Sequence, residues 1–64
     1  MKWNKTIEQV PKSEEKVLAC YYGFYKLLVW NPNYDCWDDE EGDDYFCDKE
    51  QVEYWTSLPK MPKI

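Results

Sequence analysis

The sequence has no histidine and no arginine among its 64 residues, and only two glycines. Without histidine the commonest general base and metal ligand is missing. Without arginine the chain cannot grip phosphates or guanine edges bidentately. Gly23 and Gly42 stand alone, so no glycine-rich phosphate loop exists. Ser13 and Ser57 lie outside any nucleophile motif, and the three cysteines form no Cys-x-x-Cys pair. An odd number of cysteines in so short a chain makes no closed disulfide framework. No apolar run approaches the roughly 20 residues of a membrane helix, and Met1 to Glu15 is too polar for a secretory signal. These absences predict one domain over residues 1–64 that is no enzyme, carries no cofactor and keeps its thiols free in a reducing cytoplasm.

Large rings and acids are abundant. Four Trp, six Tyr and two Phe supply apolar area that a domain this small otherwise lacks. The acids are concentrated: Asp35, Asp38, Asp39, Glu40, Glu41, Asp43, Asp44 and Asp48 fall in one stretch with no base, while the remaining five acids and eight lysines sum to +3. The net charge of −5 opposes direct binding to nucleic acid.

The apolar runs Lys16–Tyr22 and Phe24–Trp30 suit two strands about a turn near Gly23. Asn31-Pro32-Asn33 is a turn, Tyr34–Asp38 alternates, and Val52–Thr56 reads as a last strand. Thr6 and Gln9 have capping-box spacing for a helical turn that Pro11 stops, and a second turn is expected after Asp48. Trp3 and Leu58 are expected to close the core, with the proline-bearing tail from Leu58 to Pro62 extended beyond it. The sum predicts an α+β domain: a three- to four-stranded antiparallel sheet, curved or closed into an open barrel, with one or two short helical turns.

The acidic stretch is the candidate binding surface, comprising Asp35, Trp37, Asp38, Asp39, Glu40, Glu41, Asp43, Asp44 and Tyr45. Carboxylates in a compact array imitate phosphates and steer encounter with a basic groove, and aromatics beside them serve as anchors. The stretch could be a solubilising loop only. It could be a divalent-ion site, although placing Gly42 at the sixth position of an EF-hand loop puts Trp37 where the first acid belongs. Tyr21, Tyr22, Phe24 and Tyr25 could form a stacking platform for single strands, which the net charge disfavours.

The opening Trp3, the Pro11…Lys16-Val17-Leu18 step, the central Trp37 with acids after it, and the ending Val52-Glu53-Tyr54-Trp55-Thr56-Ser57-Leu58-Pro59-Lys60-Met61-Pro62 resemble the domain-of-unknown-function family 551. The family ending reads V-T-H-W-M-P-L-P-x-P-P. Here Tyr54 stands at the histidine position, and Lys60-Met61-Pro62 replaces the paired prolines. The resemblance implies a phage or prophage protein inside a bacterial cell and brings no activity with it. Joined to the acidic stretch, it leads to a small protein that binds a host or phage protein. The favoured partner is a nucleic-acid enzyme or defence system, blocked by DNA mimicry as in anti-CRISPR or anti-restriction proteins. The alternatives are an accessory phage protein of structural role and a metal-binding module.

Overall fold

The computed structural model describes residues 2–13 and 15–59. Six strands, β1 (Asn4–Lys5), β2 (Lys16–Tyr21), β3 (Phe24–Asn31), β4 (Cys36–Asp38), β5 (Tyr45–Asp48) and β6 (Val52–Ser57), form one antiparallel sheet. Their spatial order is β1-β6-β2-β3-β4-β5. A three-residue 3-10 turn, Lys49–Gln51, joins β5 to β6.

That join bends the sheet. Strands β5 and β6 are four places apart in the order, about 19 Å in a flat sheet at the usual spacing of about 4.8 Å. A 3-10 turn advances about 2 Å per residue. The sheet therefore curls until β5 faces β2 and β6 across its hollow side. Tyr21 of β2 meets Phe46 of β5 edge-on at 4.9 Å between ring centroids.

Residues opposite one another in the ladder share a face. Val17 pairs with Leu28, Ala19 with Trp55, Trp30 with Trp37, and Trp37 with Cys47. These residues line the hollow side and, with Val52, form the core. Trp30 and Trp37 pack edge to face at 5.1 Å. Strict alternation would put Val52 and Trp55 on opposite faces. A register shift in β6 between the partners of Ala19 and Tyr21 brings both inward. The segment after β1 covers one end of the hollow, with Val10 against the core. There the Trp55 indole donates to the Gln9 carbonyl at 2.8 Å.

These observations correct the α+β reading: there are six strands, and the only helical element among the described residues is the 3-10 turn. Two strands escaped because β1 is a polar dipeptide, Asn4-Lys5, and β5 is too short to show a period. The capping box expected at Thr6 does not form. Glu8 and Gln9 both donate their N–H to the Lys5 carbonyl at 3.0 Å, while the Thr6 hydroxyl is buried without a partner. At the expected turn after Asp48, Gln51 Oε1 accepts the Asp48 N–H at 2.8 Å. Trp3 and Leu58 do not close the core either. Trp3 stacks on Tyr25 at 6.2 Å, on the outer face, and Leu58 is exposed. The expected extension of Lys60-Met61-Pro62 lies outside the described residues.

Candidate functional site

The acidic stretch divides into side chains that hold structure and side chains that face water. Trp37 has no exposed surface; it belongs to the core, and its indole donates to the Lys49 carbonyl at 3.4 Å. Asp38 is only 7% exposed and accepts the Asn31 side-chain amide at 3.1 Å. Trp37 cannot touch a partner, which corrects its place on the expected binding surface, while Asp38 offers only a narrow edge to the hollow beside it. The sequence set both beside acids, but β4 lies between β3 and β5 and is covered on both faces.

Asp39 organises the loop. Its Oδ1 accepts the backbone N–H groups of Glu41, Gly42 and Asp43 at 3.2, 3.1 and 3.4 Å. Its own N–H donates to the Asp44 carbonyl at 2.8 Å. Gly42 takes a left-handed φ of 78° and sits over Val29 on the outer face of the sheet. The loop is thus a folded element, and Glu40, Glu41, Asp43 and Asp44 project from it into water.

The connection from β3 to β4 is built similarly. Asn31 Oδ1 accepts the N–H groups of Asn33 and Tyr34 at 3.0 and 3.3 Å. Asp35 closes the turn with a φ of 53°. Tyr34 is left 80% exposed. A shallow hollow lies between the two loops; its lining includes Tyr34, Tyr45, the acids Asp35, Asp38, Asp43, Asp48 and Glu50, and one base, Lys49. Tyr45 donates to Asp48 Oδ1 at 2.6 Å, and that bond chiefly pushes its phenol up to about 12. Tyr34, Asp48 and Glu50 were not among the residues expected at this surface. Tyr34 was foreshadowed by a large ring directly after a turn signal, whereas Glu50 gave no such hint.

Other chemistry is sparse. Burial pushes the Cys47 thiol up to about 11. Burial, then the charges of Asp38, Asp48 and Asp35, raise Cys36. Both are thiols at neutral pH, which makes them poor nucleophiles. Among the described residues no three Cys, Asp or Glu side chains are grouped to hold a metal ion. Among them, too, no helix is long and apolar enough to cross a membrane. The stacking-platform residues separate: Tyr22, Phe24 and Tyr25 are exposed, while Tyr21 packs against the core.

No protein-family model, curated protein or solved structure matches the chain. The likeness to family 551 therefore rests on the residues quoted for it.

Proposed function

We propose that this protein acts by binding a basic protein surface through its acidic face, and that the partner is a host nucleic-acid enzyme whose phosphate-binding groove this face occupies. The observation that carries the reading is the division of labour in the loop. Asp39 spends its carboxylate on three backbone N–H groups, and Glu40, Glu41, Asp43 and Asp44 are held outward without being consumed by the fold. A loop backbone already ordered loses little freedom when a cationic partner arrives, and a compact array of one sign speeds the encounter. Tyr34 and Tyr45, exposed on the same face, supply the large rings that anchor interfaces. The bacterial and phage setting comes from the likeness to family 551.

The test is capture from bacterial lysate with the wild-type protein and a variant carrying Glu40→Gln, Glu41→Gln, Asp43→Asn and Asp44→Asn. Asp38 and Asp39 stay intact, since replacing them would probe folding instead. The expected result is a nuclease, restriction enzyme or other nucleic-acid enzyme held by the wild type only and released by DNA. A variant that folds normally and captures the same proteins would remove the loop from the mechanism. The loop would then be a solubilising feature of an accessory protein.

A further inference from the structure

The hairpin joining β2 to β3 turns through two residues, Tyr22 and Gly23, because Tyr21 pairs directly with Phe24. Their φ angles are 47° and 83°, as in a type I′ turn. That turn favours Asn, Asp or Gly at its first central position, where a bulky side chain is strained. Tyrosine at this position works against the turn, and its ring, edge-on to Tyr21 at 4.7 Å, is still 67% exposed. Strain of this kind concentrates at functional sites.

The position of the ring suggests the use. The Tyr22 hydroxyl accepts from Gln51 Nε2 at 3.1 Å. Gln51 Oε1 accepts the Asp48 N–H at 2.8 Å, and Asp48 accepts the Tyr45 hydroxyl at 2.6 Å. The hairpin tip is therefore tied, through one turn of chain, to the acidic hollow. Phe24 and Tyr25 are exposed beside it. Nearby, Lys26 already places its ammonium 5.3 Å from the Phe46 ring centroid.

We propose that Tyr22 is a partner-contacting anchor, held rigid at the rim of the acidic face so that a lysine or arginine of the same basic protein surface packs on its ring. This rests on the acidic-face reading above. A cation over an aromatic face is attracted by the ring. The occupant follows from charge complementarity: residues 35–48 hold eight acids and no base.

The experiment is a titration of the labelled protein with a deca-arginine peptide at low salt, followed by backbone amide NMR. Wild type is compared with Tyr22→Asn, Tyr22→Phe and the four-fold loop variant. Amides at 22–25, 43–48 and 51 are expected to shift together. Tyr22→Asn should weaken binding about tenfold, the scale of an interface hot spot, while raising the unfolding midpoint, because Asn-Gly is the favoured pair in this turn. Tyr22→Phe keeps the ring but loses the Gln51 tether, and its binding should fall between that of wild type and Tyr22→Asn. If the peptide shifts the loop amides but not 22–25, and Tyr22→Asn binds equally well, the anchor is overturned and the acidic-face reading survives. If Tyr22→Asn lowers the midpoint, the ring is a structural staple and the proposal fails. If wild type and loop variant take the peptide equally, the acidic-face reading fails and the anchor with it.

Discussion

The side chain of Asn31 accepts two backbone N–H groups with its oxygen and donates its amide to the buried Asp38 carboxylate. It thereby shapes a turn and satisfies a charge in one arrangement. Asn31→Ala leaves Asp38 without that donor and should cost about 2 kcal/mol, a large part of the roughly 3–5 kcal/mol that a core of this size supplies. Chemical denaturation at neutral pH measures it; an unchanged midpoint would mean that water replaces the amide. Tyr45 makes a pH-dependent contribution. Its folded-state value, pushed up to about 12, lies above the unfolded value of about 10. The stabilisation from its bond to Asp48 is therefore complete below about pH 10 and disappears as pH rises toward 12. It is small, because the pair is exposed to solvent. Ultraviolet titration should find one tyrosine ionising later than an exposed one, and Asp48→Ala should return it to the ordinary range. The structural roles of these residues were hidden in the sequence. An asparagine before a proline announces a turn, but nothing in the letters says that it also reaches an aspartate seven positions on.

Strands β2, β3 and β6 were legible because each is a run of β-branched and aromatic residues bounded by turn formers. Their faces were not, because a register shift interrupts the alternation of β6 and the loop at Gly42 covers Val29 on the outer face of β3, so that Leu28, Val29 and Trp30 are all buried. In β6, Glu53 and Tyr54 together occupy the space opposite Cys20, and only this brings Val52 to the same side as Trp55. Val52, delivered inward by this shift, is fully buried. Val52→Ala should cost about 2 kcal/mol of buried apolar area, read as a lowered unfolding midpoint. A midpoint equal to wild type would show that the shift brings nothing to the core. Strand β4 misled in another way. Its acids suggested a solvent-facing segment, but the chain encloses it between neighbours and folds the Asp39 loop beyond it. The loop itself was visible as charge around Gly42, and its internal order was not, since any of several acids could have served as the organiser.

Charge is partitioned across the molecule, −8 between Asp35 and Asp48 and +3 elsewhere. Like charges in one loop repel, and salt screens them over about 10 Å at 0.1 M. The unfolding midpoint should therefore rise with sodium chloride, and the four-fold loop variant should start higher and respond less. A wild-type midpoint that falls with salt would mean that attractions between lysines and acids outweigh the repulsion. The large rings that stabilise so short a chain were plain from composition, although composition did not say which ones face inward. The order of the strands also bears on how the chain emerges from a ribosome. Strand β6 is the last of the six to be synthesised, yet it occupies the second place, between β1 and β2. Until residue 57 has cleared the exit tunnel, β1 has no neighbour to pair with, and the hydrogen-bonding edge of β2 stays open. A nascent chain stalled before that point would carry an unpaired edge of the kind that recruits other strands. Folding must wait for its final insertion, and a topology so dependent on distant pairings is expected to fold in milliseconds to seconds rather than microseconds.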